Sequence, residues 1–325
     1  MDSFAGKIAV VTGGGTGMGR ELVRQLAAEG CSVAMCDVSA TNMADTELLA
    51  AADAPEGVVV SSFVADVSDE SQLVAFREHV SGVHDTQHID LLFNNAGIGG
   101  GGSLVRDPRD EWEQVFAVCW GGVYLGTRTF LPMLLASSDG HVVNTSSVNG
   151  FWATLAGNAH TAYSAAKFAV KGFTEALISD FRQNAPHLKA SVVMPGHIGT
   201  SIVFNSGAYF GRDPKELDDA QIVDLRQRLS AQGIDVGPAS DEDLRNLMVA
   251  MAEGFRDNAP MSAAQAATII LDGVRAGEWR ILVGDDAHRL DEAIRAEPTV
   301  AYEPEFFERL RTQGVFGNMP MTQRD

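Results

Sequence analysis

The chain has 325 residues, 45% of them hydrophobic, and a formal net charge of −19. A chain of this length and composition can bury a large core, and its acidic balance argues against a nucleic-acid partner, which attracts Lys and Arg. No apolar run approaches the length of a membrane span, and the first residues lack the charged and apolar regions of a signal peptide. We therefore expect a soluble, cytoplasmic protein with neither a membrane nor a nucleic-acid partner.

The three cysteines and eight histidines show no metal-ligand spacing. Cys31 and Cys36 flank one apolar segment and Cys119 stands alone, so we expect small buried side chains and neither a disulfide nor a metal site. His160 and His197 lie near the motifs described below, and we interpret them as polar loop groups.

The chain begins with a strand, a glycine-rich turn and a helix. Residues 8–11 are apolar and predict a buried parallel strand, whereas residues 20–29 predict an amphipathic helix. Five glycines separate the two: Gly13, Gly14, Gly15, Gly17 and Gly19. Glycines let the backbone approach a ligand closely, and the free N–H groups at a helix start favour an anion. The stretch predicts a pyrophosphate site, although its spacing is not the usual G-x-G-x-x-G.

A second predicted strand, at 31–37, ends in Asp37. A carboxylate at this position can accept hydrogen bonds from the adenosine ribose hydroxyls and would repel a 2′-phosphate. No Arg or Lys directly follows Asp37 or precedes Gly17. We therefore predict NAD as the cofactor, with a helix N-cap as the alternative role of Asp37.

Five further strands are predicted at 58–64, 89–93, 141–145, 190–194 and 279–283, with intervening helices that include 70–79 and 110–131. Asp66 either faces the adenine edge or caps the helix that follows it. The Asn94–Gly97 segment suits a turn at the carboxyl edge of the sheet, where ligands bind. This alternation predicts a Rossmann-like doubly wound parallel sheet of about seven strands in a single domain.

Two segments interrupt the alternation. Residues 201–260 are polar, with helices predicted at 218–231 and 241–256, and we interpret them as a substrate lid. Ser262 and Gln265 predict a capping box for the next helix. A further helix is predicted at 287–296. The tail that follows it, 297–325, carries aromatic residues that look exposed and should dock on this subunit or a neighbour, namely Phe306, Phe307 and Phe316.

Ser147, Tyr163 and Lys167 form the candidate catalytic group. Tyr163 and Lys167 are four residues apart and share one face of a helix. An ammonium beside a phenol favours the phenolate, which predicts a lowered pKa for Tyr163 and makes it a usable general acid/base. Ser147 lies just after the strand predicted at 141–145, at its tip, and can hydrogen-bond a carbonyl or alcohol oxygen. Ser146 is a less favoured candidate for that role.

Five motifs, in this order, make the chain resemble the short-chain dehydrogenase/reductase family. They span residues 7–200 and leave 201–260 and 297–325 uncovered. The motifs are Thr12-Gly13-x-x-x-Gly17-x-Gly19, Asn94-Asn95-Ala96-Gly97, Asn144-x-Ser146-Ser147, Tyr163-x-x-x-Lys167 and Pro195-Gly196-x-x-x-Thr200.

The resemblance implies a role for each motif. Tyr163 is the acid/base, Lys167 binds the nicotinamide ribose and tunes Tyr163, and Ser147 polarises the substrate carbonyl. Asp37 selects NAD. The implied cofactor contacts, besides Asp37, Tyr163 and Lys167, are Gly13, Gly15, Thr16, Gly17, Met18, Gly19, Asp66, Val67, Asn95, Ala96, Gly97, Pro195, Gly196, Ile198 and Thr200.

One position departs from the family pattern. The family commonly has an Asn in the helix after the Asn-Asn-Ala-Gly loop, where it holds a water in the proton relay from Lys. The equivalent residue here is Cys119, and a thiol is a poor substitute for an amide. We expect activity to survive, because the acid/base and its Lys are present.

The resemblance implies an NAD-dependent secondary alcohol dehydrogenase or ketone reductase that forms a homodimer or homotetramer. Phe151, Trp152 and the 204–210 segment place aromatic bulk near the predicted site; they indicate an apolar substrate, with core packing as the alternative. An NADPH-dependent 3-oxoacyl-type reductase is a second reading, which Asp37 opposes. A catalytically silent NAD-binding sensor or scaffold is a third, supported only by Cys119.

Overall fold

The computed structural model describes residues 1–154, 158–231 and 235–315. Its centre is a seven-stranded sheet with the strand order β3-β2-β1-β4-β5-β6-β9. All the paired strands run parallel. The strands are β1 (Ile8–Thr12), β2 (Ser32–Asp37), β3 (Val60–Val64), β4 (Leu91–Asn94), β5 (Gly140–Thr145), β6 (Leu188–Pro195) and β9 (Arg280–Val283). The predicted Rossmann-like parallel sheet is confirmed.

Helices cover both faces of the sheet, because successive strand residues point to opposite sides. On one face, Ala9 and Val11 pack with Leu22 and Ile270. On the other, Val10 packs with residues of several helices. The helices are α1 (Gly17–Ala28), α2 (Ala40–Asp53), α3 (Glu70–Val83), α4 (Arg109–Phe116), α5 (Gly122–Leu135), α6 (Thr161–Asn184), α7 (Ile202–Tyr209), α8 (Asp219–Ala231), α9 (Asp241–Asp257), α10 (Ala263–Ala276), α11 (Asp285–Ala296) and α12 (Pro304–Thr312).

The strand order reverses between β1 and β4, the pair that continues into β2 on one side and into β5 on the other. A crevice opens at the carboxyl ends of the strands at such a switch point, and ligands bind there. The loops that follow β1 and β4 are the glycine turn and the segment that starts at Asn95. The topology therefore brings the two predicted cofactor loops together.

The helix predicted at 110–131 is interrupted. A π-helical turn, Ala117–Gly121, joins α4 to α5 and carries the buried Cys119. Turns of this kind are rare and occur frequently at functional sites. The other two cysteines, Cys31 and Cys36, are also buried, as the sequence predicts.

The 201–260 segment forms α7, α8 and α9, with the last two close to their predicted bounds. Two short strands, β7 (Ile198–Gly199) and β8 (Met261–Ser262), pair in parallel and tie its two ends together. Ser262 and Gln265 form the predicted capping box at the start of α10. The interpretation of this segment as a lid on a single domain stays a prediction.

The C-terminal helices α11 and α12 pack against the loop that follows β5. Trp152 donates its indole N–H to the Ala301 carbonyl oxygen at 2.8 Å and stacks on Phe307. Phe306 is only 2% exposed and packs in the cluster around Trp152, so it docks within this subunit, one of the two sites that the sequence leaves open. Phe316 lies outside the described residues.

Among the described residues, none of the helices is both long and apolar enough to cross a membrane. Nor do three or more His, Cys, Asp or Glu side chains come together in the described part of the chain as a metal site would require. His197, near the site, instead makes a hydrogen bond through Nε2 to the Phe255 carbonyl oxygen at 2.7 Å.

Candidate active site

The glycine turn joins β1 to α1 and lies at the switch point of the sheet. Gly17 adopts a φ of +54°, a left-handed conformation that L side chains rarely take. The Thr12 hydroxyl oxygen accepts hydrogen bonds from the N–H groups of Asn95 and Ala96 at 3.0 and 3.1 Å. The end of β1 and the loop after β4 are therefore held together as one unit.

Asp37 stands at the end of β2, opposite the glycine turn. Its carboxylate oxygens accept hydrogen bonds from the N–H groups of Gly15 and Ser39, both at 3.0 Å. Ser39, and not Asp37, is the N-cap of α2. The alternative capping role of Asp37 is thus not seen. Asp37 instead lines a cleft beside the glycine turn, which we call the cofactor cleft.

Asp66 follows β3 and also lines this cleft. Its Oδ1 accepts hydrogen bonds from the N–H and hydroxyl of Ser68 at 2.9 and 2.7 Å. Asp69 caps α3. The question that the sequence leaves open for Asp66 is therefore resolved against the cap.

Two adjoining cavities hold nearly all the predicted site residues. The cofactor cleft, about 370 Å³, is lined by Gly13, Thr16, Gly17, Met18, Asp37, Asp66, Val67, Asn95, Ala96, Gly97 and Thr200. The catalytic cavity, about 560 Å³, is lined by Met18, Asn95, Gly97, Ser147, Tyr163, Lys167, Pro195, Gly196, Ile198 and Thr200. Gly15 and Gly19 line neither, because they pack inside the turn. The shared lining residues make the two cavities continuous.

The cofactor cleft fits a dinucleotide. A Cβ at Gly13 would lie 2.8 Å from the Ala96 Cα, so the narrow gap between the two loops admits only backbone. Asn95 Oδ1 is buried and has no hydrogen-bond partner, whereas its Nδ2 donates to the Thr12 carbonyl oxygen at 3.2 Å. A buried unpaired acceptor beside an anion-binding turn indicates a missing ligand donor.

Ser147, Tyr163 and Lys167 meet in the catalytic cavity. Lys167 Nζ lies 5.3 Å from the centroid of the Tyr163 ring and donates a hydrogen bond to the Thr145 carbonyl oxygen at 2.9 Å. Ser147 lines the same cavity as Tyr163, and its hydrogen-bonding hydroxyl acts to lower the pKa of the Tyr163 phenol. The Ser146 hydroxyl donates to the Lys167 carbonyl oxygen at 2.8 Å, which leaves Ser147 as the serine that faces Tyr163.

The expectation that Tyr163 has a lowered pKa is wrong for the arrangement of these side chains. Burial raises the pKa of the Tyr163 phenol, the nearby Cys119 raises it further, and only the hydrogen bond with Ser147 opposes the rise. Burial also lowers the pKa of Lys167. The cost of placing a charge at a buried position outweighs the effect that the four-residue spacing predicts.

Three further features of the site carry no sequence motif. Helix α7 closes over the cleft: Asn205 Nδ2 donates to the Thr16 hydroxyl at 2.8 Å, and the Tyr209 hydroxyl donates to Asp66 Oδ2 at 3.2 Å. Asp286, from α11, lies behind Gly196 and accepts the N–H of His197 at 2.6 Å. His160 packs on Tyr163 with ring centroids 4.8 Å apart.

The predicted aromatic lining is present in part. Trp152 and Phe210 line the catalytic cavity, whereas Phe151 packs in the cluster around Trp152 and the C-terminal helices. Phe204 instead lies under the cations of Lys215 and Arg256.

The comparisons with known proteins agree with this architecture. A sequence profile described as short chain dehydrogenase matches residues 7–208. SadH of Mycobacterium tuberculosis, named as an oxidoreductase, is 33% identical over 295 residues, 91% of this chain and 92% of SadH. A short-chain dehydrogenase/reductase from Burkholderia phymatum, solved with NAD, is 26% identical with a TM-score of 0.69, covering 100% of this chain and 99% of that one.

A metagenomic short-chain oxidoreductase, solved with NADP, is 32% identical with a TM-score of 0.52, covering 59% of this chain and 83% of that one. Both cofactors therefore occur among similar structures.

A parallel α/β sheet with a glycine turn at its switch point defines a class of dinucleotide-binding proteins. Within that class, this chain belongs to the short-chain dehydrogenase/reductase family and is an oxidoreductase. The family binds a nicotinamide cofactor, and the continuous cavities have the residues to hold one.

Proposed function

We propose that the protein is an NAD-dependent oxidoreductase that interconverts a secondary alcohol and a ketone. The observation that carries this proposal is that Ser147, Tyr163 and Lys167 line one cavity, with the Lys167 ammonium 5.3 Å from the Tyr163 ring centroid, and that this cavity is continuous with the cofactor cleft. The nicotinamide, when bound, supplies or accepts the hydride. The residues of the chain bind and orient the substrate and handle its proton.

Tyr163 and Ser147 act on the same substrate oxygen. In the direction of ketone reduction, the Tyr163 hydroxyl donates its proton to the carbonyl oxygen, and the Ser147 hydroxyl polarises that oxygen through a hydrogen bond. In the direction of oxidation, the Tyr163 phenolate takes the alcohol proton. Lys167, fixed by its hydrogen bond to the Thr145 carbonyl oxygen, would hold the ribose of the bound nicotinamide and would place a positive charge beside the phenolate.

The cofactor preference rests on the charges around the adenosine end of the cleft. Among the described residues that line it, Asp37 and Asp66 are the charged ones, with neither Arg nor Lys present. Arg20 is nearby, but its guanidinium donates to the Gly15 and Asn42 carbonyl oxygens. A 2′-phosphate would meet a carboxylate and no cation, which disfavours the NADPH-dependent 3-oxoacyl-type reductase.

We expect wild-type protein to bind NADH more tightly than NADPH. Asp37→Ser removes a charged hydrogen-bond acceptor for the ribose, which is worth about 1.5–3 kcal/mol, so NADH affinity should fall about 10- to 100-fold. NADPH affinity should fall less or rise. The measurement is a fluorescence titration of both proteins with each cofactor.

Asp45→Ser is the matched control, because Asp45 lies on α2 with a side chain 60% exposed and only a 3.9 Å contact with Arg20. Its cofactor ratio should equal that of the wild type. An NADPH preference in the wild type would overturn the NAD assignment and favour the reductase alternative. Tight NADH binding without turnover of any alcohol or ketone would favour the silent sensor.

Cys119 provides a test through the pH dependence of oxidation. The Cys119 thiol donates to the Ile98 carbonyl oxygen at 3.2 Å. Once it has lost its proton, the thiolate repels the Tyr163 phenolate and so raises the pKa of Tyr163. Oxidation needs the phenolate, so its rate rises with pH through that pKa. Cys119→Ser removes an ionisable group and should move the rising limb of kcat/KM to lower pH.

The pH profile of kcat/KM for alcohol oxidation is the measurement for Cys119→Ser. Cys31→Ser is the control, because Cys31 is equally buried but lies just before β2, at the amino ends of the strands, whereas the site lies at their carboxyl ends. An unchanged profile in Cys119→Ser would show that Cys119 does not act on Tyr163. A homodimer or homotetramer, which the family implies, and a cytoplasmic location, which the sequence predicts, belong to this proposal. Light scattering would test the oligomer.

A further inference from the structure

The catalytic cavity has a wall that lies beyond the part of the chain matched by the family profile, which ends at residue 208. Side chains from the segment between α7 and the end of α9 contribute this wall, and most of them are apolar. They include Phe210, Pro214, Leu217, Leu225, Met248 and Phe255. The family motifs therefore explain the reacting end of the cavity, and this segment determines what else fits in it.

Helices α8 and α9 form a packed unit with a small core of its own. The core consists of Leu217, Ile222, Leu225, Leu229, Val236 and Leu244, with Met248 packed against it. Arg226 donates to the carbonyl oxygens of Val236 and Ala239 at 3.0 and 2.7 Å, which ties α8 to the residues just before α9. The wall is thus a built surface with defined side chains.

In the part of the chain that the structure describes, the charged side chains that line the cavity already have polar partners. Arg212 contacts Glu111 at 2.7 Å, and both are largely buried. Asp286 accepts the N–H groups of His197 and Ala287, and Lys167 is committed to the catalytic group. Arg228 contacts Asp224 at 3.0 Å, and its side chain is 48% exposed, so it stays at the solvent edge.

Among the described lining residues, an anionic substrate would therefore find no free cation apart from Lys167, and a cationic substrate would find only the Asp286 carboxylate, which already accepts two backbone N–H groups. Burying an unpaired charge is costly, and opening the Arg212–Glu111 pair to provide a partner would leave the other member unpaired. An anionic substrate would also be repelled by the net charge of −19. An uncharged apolar body, in contrast, gains from contact with the wall.

We infer that the substrate is an uncharged ketone or secondary alcohol with a bulky apolar body, and that Met248 of α9 contacts that body. This inference rests on the proposed function and narrows it. It places the selection of the substrate in α8 and α9, away from the residues that handle the proton and the cofactor.

The first experiment compares three cyclic ketones as substrates with NADH: cyclohexanone, 4-tert-butylcyclohexanone and 4-oxocyclohexanecarboxylate. The tert-butyl compound should exceed cyclohexanone in kcat/KM by about 10- to 100-fold, since its added methyl groups are buried. The carboxylate should fall below cyclohexanone. Equal or faster turnover of the carboxylate would overturn this inference and leave the proposed function standing, whereas turnover of none of the three by protein that binds NADH would count against the proposed function itself.

The second experiment moves a charge onto the wall. Met248→Lys places a cation in the cavity and should reduce the preference for the tert-butyl compound over the carboxylate at least tenfold, mainly through KM. Leu247→Lys is the matched control, because Leu247 is the neighbouring residue, is 38% exposed and does not line the cavity. NADH affinity serves as the check that both variants are folded. If the two variants keep the same substrate ratio, α9 does not contact the substrate.

Discussion

Tyr163→Phe is expected to lower kcat by about 10²- to 10⁴-fold, the contribution typical of a general acid/base. The Tyr163 phenol lines the catalytic cavity together with Ser147, and it is the proposed proton donor and acceptor. Phe preserves the ring, and with it the contacts to His160 and the Lys167 ammonium. The substitution therefore removes the proton-transfer group and little of the packing.

The measurement separates chemistry from binding. NADH affinity should change by at most about tenfold, the value of one neutral hydrogen bond, so the loss should appear in kcat. Tyr124→Phe is the control, because Tyr124 lies on α5 and is 42% exposed. Equal turnover by Tyr163→Phe and wild type would contradict the proposed mechanism. No turnover by either protein would favour the sensor or scaffold hypothesis.

The sequence predicts the motif-bearing core of the site because each motif lies at the carboxyl end of a parallel strand. The glycine turn follows β1, Asp37 ends β2, Asn95 follows β4 and Ser147 follows β5. In a parallel sheet these ends share one edge. Strand order need not be known in detail for the prediction to place these side chains together.

The sequence does not predict what closes the site. Asn205 reaches Thr16 across 189 positions, and Trp152 reaches Ala301 across 149. No local period or spacing encodes such contacts, and α7 and the C-terminal helices are placed by them. Phe306 looks exposed in the sequence for the same reason, since the side chain that covers it, Trp152, is distant in the chain.

The pKa of Tyr163 illustrates a second limit. The four-residue spacing correctly places Lys167 on the same face of α6, and it predicts the direction that a charge pair in water would give. In the folded protein the pKa of Tyr163 is raised instead, because the phenol is buried and because Cys119, in the π-helical turn Ala117–Gly121, lies nearby. Burial is a property of the whole fold, so a pairwise spacing cannot supply it.

The second large effect is expected at Gly19, the glycine of α1 that packs against the turn. A Cβ at this position would lie 1.9 Å from the Gly13 carbonyl oxygen and 2.7 Å from Asn95 Nδ2. Asn95 cannot move freely, because its backbone N–H donates a hydrogen bond to the Thr12 hydroxyl oxygen. Gly19→Ala must therefore displace the turn itself, at a cost of at least about 1–3 kcal/mol of stability.

The displaced turn should also lose its ligand. Gly13 and Asn95 line the cofactor cleft, so we expect NADH affinity to fall more than about tenfold, equivalent to about 1.4 kcal/mol, together with a lower unfolding temperature. Gly82→Ala is the matched control, because a Cβ on Gly82 of α3 would meet nothing within 4 Å. There the change should raise helix stability by up to about 1 kcal/mol and leave NADH binding unchanged. Opposite signs from the same substitution would show that the close approach at Gly19, and not the glycine type, builds the cofactor turn. Equal effects would contradict it.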